Sequence, residues 1–357
     1  MQKVKAEIHL KHIKNNAEAF KRFTGKKLCA VVKADGYGHG AEEVALAIEH
    51  SADLFAVALL EEAVALRVAA CGKDILILTP PTCFSDAERA IRNGFILTVD
   101  CLSRARLIEQ AAQKLLLPAR IHLKVNTGMN RYGMSVYELG KTCKYLQKSE
   151  WGTVEGLYSH LHDLTRESAQ KQREKFLQMQ AVCKRYFTDV TCHLSATYGT
   201  LLGEEFFFDM TRVGLGLYGY IPDGAEDIEE KTLQTLALEK GMTVYATAVA
   251  SRKYSHGSMG YGKALEESAR ERVKRLSVVR YGYADGFFRK KENGVEGSEK
   301  HANPLCMDAC VKIGGVKTGA RICLIDDAQK TAQTADTISY EVLCAATKRA
   351  ERIYDYE

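Results

Sequence analysis

The sequence predicts an α/β fold in which an N-terminal (β/α)8 barrel of the TIM type is followed by a mostly-β C-terminal domain. Eight short apolar runs recur between residues 28 and 220, and amphipathic helical segments separate most of them. Strands that alternate with helices are typical of βαβ units in a parallel sheet, and eight of them can close a barrel. After about residue 231 the pattern changes to β-branched segments with glycine turns.

The eight predicted strands follow one another at fairly regular spacing. They are LCAVV (28–32), DLFAVA (53–58), DILILT (74–79), FILTV (95–99), ARIHLKV (119–125), VEGLYSH (154–160), VTCHLSA (190–196) and RVGLGLYGY (212–220). The segment before the last strand, TYGTLLGEEFFFDM, gives the weakest helical pattern. A doubly wound open sheet is the alternative, but no G-x-G-x-x-G motif follows the first strand.

We therefore expect two domains, a barrel over residues 1–231 and a β-rich domain over residues 232–357. The second domain is predicted from alternating segments such as MTVYATAVASRKYS, DACVKIGG and ARICLIDD. Alternation of apolar and polar residues with a period of two indicates strands with one buried face.

Composition narrows the class of protein. The chain has 357 residues, of which 46% are hydrophobic and 27% charged, as in soluble globular proteins. The net charge of +5 is spread along the chain, so we expect no nucleic-acid partner. The 11 cysteines are irregularly spaced without a C-x-x-C motif, which favours reduced thiols and a cytoplasmic location. No apolar run reaches the ~18 residues of a membrane span, so no membrane segment is expected in this chain.

Lys33 is the first candidate for chemistry, because it directly follows the first predicted strand. Barrels of this type place their sites at the C-terminal ends of the strands, and a desolvated lysine amine can attack a carbonyl. A surface lysine beside a loop is the alternative. The glycine-rich segment RVGLGLYG (212–219) is typical of a phosphate site, and Tyr37 could reach a phosphate. Together they predict pyridoxal phosphate held as a Schiff base, with Arg212 a candidate partner of its ring nitrogen.

The segment AVVKADGYGHG closely resembles the cofactor-attachment motif of the alanine racemases, AVVKANAYGHG. Further motifs follow that family in order and at near-family spacing. They are HLKVNTGMNRYGM (122–134), EGLYSHL (155–161), RVGLGLYG (212–219), GYG (260–262), GYADGF (282–287), CMD (306–308) and SYEVLC (339–344). The resemblance covers essentially the whole chain.

The resemblance implies a homodimeric enzyme with shared active sites that uses pyridoxal 5'-phosphate to interconvert L-alanine and D-alanine. It also implies that the D-alanine supplies peptidoglycan synthesis. Lys33 is implied as the cofactor ligand and one base, and Tyr261 of the other subunit as the second base. The remaining implied roles are cofactor binding by Tyr37, His160, Thr197, Arg212, Gly214 and Leu215, and substrate binding by Arg131, the Met307 backbone and Tyr283.

Two bases are chemically reasonable because racemisation removes the Cα proton from one face and returns a proton to the other. A guanidinium at the ring nitrogen does not give up its proton, so that nitrogen would stay unprotonated. Without the resemblance, Tyr261 reads as a half-buried aromatic and Arg212 as a rim ion pair. No metal is expected, because His160, His162 and Asp163 lack a clear further ligand.

Some positions depart from the family pattern. Ala196 stands where an asparagine is usual, and Lys348 stands where many members have a tyrosine near the substrate. The serine racemases of glycopeptide (vancomycin) resistance also lack that tyrosine, so a serine or dual serine/alanine racemase is the alternative function. Lys124 matches a lysine that is carbamylated in some members. A cofactor carrier and an amino-acid decarboxylase are less favoured, because the C-terminal motifs suit neither.

Overall fold

The structure is a computed structural model that describes residues 4–69, 71–225, 227–258, 274–288 and 306–356. The chain forms two compact units. The barrel unit consists of His12–Gly36 and Ala41–Glu239, and the sheet unit consists of Met1–Lys11, Tyr37–Gly40 and Lys240–Glu357.

The strands and helices are numbered in chain order. The strands are β1 (Lys5–His9), β2 (Lys27–Val31), β3 (Leu54–Val57), β4 (Asp74–Ile77), β5 (Ile96–Val99), β6 (Ala119–Lys124), β7 (Gly152–Tyr158), β8 (Thr191–His193), β9 (Met210–Val213), β10 (Met242–Lys253), β11 (Arg275–Val279), β12 (Cys310–Ile313), β13 (Arg321–Ile325) and β14 (Glu351–Asp355). The helices are α1 (Leu10–Thr24), α2 (Ala41–Ile48), α3 (Leu60–Val68), α4 (Phe84–Arg92), α5 (Leu102–Leu115), α6 (Val136–Leu146), α7 (Arg166–Lys184), α8 (Thr197–Leu202), α9 (Glu230–Leu236), α10 (Ala328–Ala335) and α11 (Ser339–Ala346). In the described part of the chain, no helix combines the length and the apolar character that crossing a membrane requires.

Eight parallel strands form the barrel unit, in the order β8–β7–β6–β5–β4–β3–β2–β9. Two backbone hydrogen bonds join the outer strands, from Asp209 N to Cys192 O at 3.0 Å and from Arg212 N to Ser195 O at 2.9 Å. The sheet is therefore a nearly closed barrel. The predicted fold class is confirmed, and each of the eight predicted strands overlaps an observed one.

The strand sequences explain why the barrel forms. All residues of β3 and β5 are buried, as in parallel strands that are covered on both faces and therefore read as continuous apolar runs. The weak helical segment before the last strand contains only the short helix α8 and a 3-10 turn at Glu204–Phe206.

The sheet unit is mostly β-structure, as predicted. Its strands pair in the order β12–β11–β10–β1–β14, and β13 also pairs with β10. The N-terminal strand β1 runs antiparallel to β10 and parallel to β14. The sequence did not indicate this pairing, because it joins residues more than two hundred positions apart. The domain boundary expected at residue 231 stays a prediction.

Arg120 links three strands near the N-terminal end of the barrel. Its guanidinium donates to both carboxylate oxygens of Asp74, at 2.5 and 2.6 Å, and to both of Glu155, at 2.8 and 3.0 Å. These paired, charge-assisted hydrogen bonds lower the pKa of the Asp74 carboxyl. The guanidinium of Arg120 therefore holds β4, β6 and β7 together.

Two histidines lie side by side in the barrel interior. His122 Nδ1 and His193 Nε2 are 3.0 Å apart, and both residues are buried. A Cβ on Gly156 would lie 2.5 Å from the His122 ring, so glycine is needed there to admit the imidazole. Burial and nearby arginines lower the pKa of His122 to about 3, and the pKa of His193 falls well below its usual value for similar reasons.

These buried histidines predict acid sensitivity. Below about pH 6.5 the unfolded chain binds protons on both residues, whereas folded His122 resists protonation until about pH 3, so stability falls as the pH falls through this window. For His122 alone, the free energy of unfolding should fall by about 2 kcal/mol between about pH 6.5 and about pH 5. Denaturant unfolding at several pH values should show a shallower decline for His122→Gln than for the unchanged chain.

His50→Gln is the matched control, because His50 is exposed. This variant should keep the slope of the unchanged chain. Equal slopes for His122→Gln and the unchanged chain would show that His122 does not titrate on unfolding.

Candidate active site

The structure brings most of the predicted site residues of the barrel unit to the C-terminal ends of its strands. Lys33 follows β2, Arg131 lies between β6 and α6, His160 follows β7, Thr197 begins α8, Arg212 lies in β9, and Gly214 and Leu215 follow β9. Side chains from five strands of a parallel barrel therefore meet at one end, where such barrels hold their sites.

Lys33 begins a left-handed turn. Ala34, Asp35 and Gly36 have φ angles of 52°, 53° and 61°, and the Gly36 N–H donates to Val32 O at 2.9 Å. The backbone before the lysine is fixed by the barrel sheet, through a 3.0 Å hydrogen bond from Val32 N to Ala56 O. Lys33 therefore stands where a rigid strand passes into a sharp turn.

Arg212 is buried, with 3% of its surface exposed. Nη1 donates to Nδ1 and the carbonyl oxygen of His193, both at 2.9 Å, and Nη2 donates to the carbonyl oxygens of Ser159 and Leu194 at 2.6 and 2.8 Å. Of the residues that the structure describes, none accepts a hydrogen bond from Nε. The guanidinium is thus fixed with one donor remaining for a ligand.

Positive charges surround His160. Burial, together with Arg212, Lys124, Arg131 and Lys33, lowers the pKa of its imidazole well below the usual value. The same cause acts on Lys124, whose pKa is lowered well below 10.5 by burial and by the two arginines. Its Nζ lies 4.4 Å from the centre of the Tyr158 ring. The cluster therefore favours neutral His160 and Lys124 beside permanently charged arginines, and it would attract an anion.

The segment after β9 offers backbone donors. The 3-10 turn Leu215–Tyr218 begins there, and the N–H groups at the start of such a turn have no acceptor within it. Thr197 is buried, and its Oγ1 accepts a hydrogen bond from Gly216 N at 3.1 Å. A Cβ at Gly216 would lie 2.6 Å from the Phe20 ring, so glycine allows this close approach.

Three other predicted residues belong to the sheet unit. Tyr37 is buried, and the centre of its ring lies 5.9 Å from that of Tyr340. Tyr283 and Met307 are 41% and 55% exposed, and their segments are joined by a hydrogen bond from Ala284 N to Met307 O at 3.0 Å. Tyr261 lies outside the described residues.

The barrel residues fit pyridoxal phosphate. Arg212 keeps Nε as a donor for a ring nitrogen, the turn after β9 supplies N–H groups for a phosphate, and Lys33 supplies an amine for an aldehyde. By contrast, within the described residues no three His, Cys, Asp or Glu side chains are grouped so as to hold a metal ion.

Sequence reasoning missed two residues that support this site. His193 accepts a hydrogen bond from Arg212, and its only sequence signal was a polar residue inside an apolar strand. Glu62 accepts a hydrogen bond from the N–H of Ala34, directly after Lys33. The signal for Glu62 was its place three residues after the N-cap of a helix, which is where a capping-box glutamate stands.

Two family models match the chain, the alanine racemase N-terminal domain over residues 8–222 and the alanine racemase C-terminal domain over residues 241–354. Alanine racemase 2 of Oceanobacillus iheyensis is 31% identical, over 98% of this chain and 92% of that protein.

Two solved structures are similar over almost the whole chain. The alanine racemase of Streptomyces lavendulae has a TM-score of 0.87 and 26% identity, over 100% of this chain and 98% of that one. The alanine racemase of Bartonella henselae, solved with covalently bound pyridoxal phosphate, has a TM-score of 0.81 and 25% identity, over 99% of this chain and 100% of that one. This chain belongs to the alanine racemase family.

Proposed function

We propose that this chain is a pyridoxal 5'-phosphate-dependent alanine racemase that interconverts L-alanine and D-alanine. The observation that carries the proposal is the buried Arg212, whose Nε remains as a donor within a cationic cluster that includes Lys33. The relatives described above are named alanine racemases and match this chain over at least 92% of their own length, which supports the same activity here. They give no support to the serine alternative.

Lys33 and Tyr261 are the proposed bases. When bound, pyridoxal phosphate withdraws electrons from the substrate Cα and so weakens the bond to its proton. Lys33 would hold the cofactor through its amine, and that amine, when free, would exchange a proton with one face of Cα. Tyr261 of the partner subunit exchanges a proton with the opposite face. The pair thereby inverts the configuration without a net loss of protons.

Arg212 sets the electronic character of the site. A guanidinium keeps its proton, so Arg212 would donate a hydrogen bond to the ring nitrogen of the cofactor and leave that nitrogen unprotonated. Electron withdrawal from the substrate would then be weaker than with a protonated ring, which would limit side reactions such as transamination. The contacts of Arg212 with His193 and two backbone carbonyls hold it in this orientation.

Phosphate and substrate carboxylate are both anions that the charged cluster can bind. We assign the phosphate to Tyr37, Thr197 and the backbone of Gly214 and Leu215. We assign the substrate carboxylate to Arg131 and the backbone of Met307, the cofactor ring to His160, and the entrance of the site to Tyr283. These assignments rest on the resemblance of the sequence motifs at these positions to those of the family.

Lys124 is proposed to carry a carbamate. Its lowered pKa favours the neutral amine, whose nitrogen can attack carbon dioxide and release one proton to solvent. Burial is the main cause of the lowered lysine pKa, and the positive charges of Arg212 and Arg131 add to it. The same two charges would stabilise the negative carbamate.

The enzyme is further proposed to act as a homodimer with shared sites, because the assignment of Tyr261 needs a second subunit. A cytoplasmic location suits its thiols, since no disulfide joins the cysteines of the described residues. The product, D-alanine, would supply peptidoglycan synthesis.

A direct test joins covalent labelling to a chiral assay. Borohydride reduction of the purified enzyme with pyridoxal phosphate should fix the cofactor to Lys33, as peptide mapping can show. Lys33→Ala should lower alanine racemisation by at least about a thousandfold, because it removes both the attachment point and one base. Lys26→Ala, which changes an exposed lysine, should not alter the rate. A chain that takes up no label and prefers serine over alanine in kcat/KM would refute the proposal.

Tyr261→Phe tests the second base. The variant should bind cofactor normally but lose at least about a hundredfold in kcat, because one face of Cα has no proton donor. Deuterium incorporation from heavy water should be slowed far more for one alanine enantiomer than for the other. Equal slowing for both would contradict the assignment of one base to each face.

The carbamate is testable by nuclear magnetic resonance. The enzyme equilibrated with carbon-13 bicarbonate should give a carbamate carbonyl signal that Lys124→Met removes. Lys141→Met is the matched control, because Lys141 also lies against a tyrosine ring, 4.2 Å from the centre of Tyr137, but is exposed. A signal that survives in the Lys124 variant would assign the carbamate elsewhere.

A further inference from the structure

The turn after Lys33 has an unfavourable backbone. Ala34 has φ 52° and ψ 47°, and Asp35 has φ 53° and ψ 49°, so two residues with a Cβ atom adopt the left-handed conformation in succession. Left-handed backbone crowds Cβ against the carbonyl oxygen, and residues other than glycine rarely adopt it in series. Some interaction outside the turn must therefore hold it.

Glu62 supplies that interaction from helix α3. Its Oε1 accepts the N–H of Ala34 at 2.7 Å, and its Oε2 accepts the N–H groups of Ala58 and Leu59 at 2.7 and 2.9 Å. Three backbone donors from two segments thus meet on one carboxylate. Hydrogen bonds to an ionised acceptor are stronger than neutral ones, and these three distances are short.

Two further hydrogen bonds of the turn lie further along the chain from the lysine. Asp35 Oδ1 accepts the N–H of Ala41 at 3.0 Å, and the N–H of Gly36 donates to Val32 O at 2.9 Å. Glu62 holds the peptide unit that directly follows Lys33. Glu62 therefore fixes the backbone after Lys33, whereas the barrel sheet fixes the backbone before it.

We infer that Glu62 is a positioning residue for Lys33: it holds the left-handed turn through the N–H of Ala34 and so directs the amine toward the cofactor aldehyde. The inference rests on the proposed function. The competing explanation is that Glu62 only caps α3 through the N–H of Leu59. Capping alone would change stability without any selective change in the reactivity of Lys33.

The experiment compares two ligands of the same enzyme. Pyridoxal 5'-phosphate can link covalently to Lys33, whereas pyridoxine 5'-phosphate has no aldehyde and cannot. In Glu62→Gln, the apparent Kd for pyridoxal phosphate should rise about tenfold or more, the size of one lost charge-assisted hydrogen bond, with little change for pyridoxine phosphate. The rate at which borohydride traps label on Lys33 should fall in parallel. All titrations are made well below the unfolding midpoint of each variant.

Glu61→Gln is the matched control, because Glu61 is the neighbouring glutamate in the same helical turn and its side chain is 71% exposed. It should leave both ligands and the trapping rate unchanged. Adding Ala34→Gly to Glu62→Gln should restore part of the selective loss, because glycine adopts the left-handed conformation readily. Glu62→Asp, which keeps the charge but shortens the reach, gives a second variant with the same expected selectivity.

The inference is overturned if the Glu62 variants weaken both ligands equally, or if they match Glu61→Gln. Failure of the proposed function looks different, since the unchanged enzyme would then bind the two ligands alike and trap no label on Lys33.

Discussion

The rest of the site depends on one constraint: the charged guanidinium of Arg212 is enclosed by the barrel. Arg212 keeps its charge, so every titratable group packed near it must avoid a second positive charge. Burial lowers the pKa values of His193, His122, His160 and Lys124, and the charge of Arg212 lowers each of them further. These groups therefore favour their neutral forms, and the guanidinium of Arg212 keeps the positive charge. Hydrogen bonds from this arginine to backbone carbonyls also join its strand to the neighbouring ones.

The same arginine determines where protons lie on the histidine pair. Because Arg212 Nη1 donates to His193 Nδ1, that nitrogen is an acceptor and the proton of neutral His193 is on Nε2. His193 Nε2 then donates to His122 Nδ1, so the proton of neutral His122 is also on Nε2. A proton added to either histidine ring would remove a hydrogen-bond acceptor from this series of hydrogen bonds. The histidine pair can thus hold the arginine only while both rings remain neutral, so protonation of the pair would disturb the orientation of the guanidinium as well as the stability of the barrel.

The sequence predicted those parts of the molecule that depend on local pattern. Continuous apolar runs are enough to find parallel strands buried on both faces, and a lysine at the end of such a run is enough to suggest a site. The pairing of β1 with β10 and β14 was not predictable in the same way, because one strand of alternating residues fits many partners. His193 and Glu62 were missed for a related reason: each acts on a residue that is distant in sequence, and only the closed barrel brings the partners together.

The turn after Lys33 shows where local rules stop being sufficient. Glycines at positions 36, 38 and 40 indicate a turn after β2, yet the left-handed backbone already begins at Ala34 and Asp35, which carry Cβ atoms. Strained backbone persists only where surrounding groups over-determine it, and here a carboxylate, a sheet hydrogen bond and the turn's own hydrogen bonds do so. A lysine in the first turn of a regular helix would have a backbone that frays, and its side chain could adopt many rotamers. Between a rigid strand and a turn held by Glu62, the backbone of Lys33 has little freedom, so a ligand that joined its amine would have to order the side chain alone.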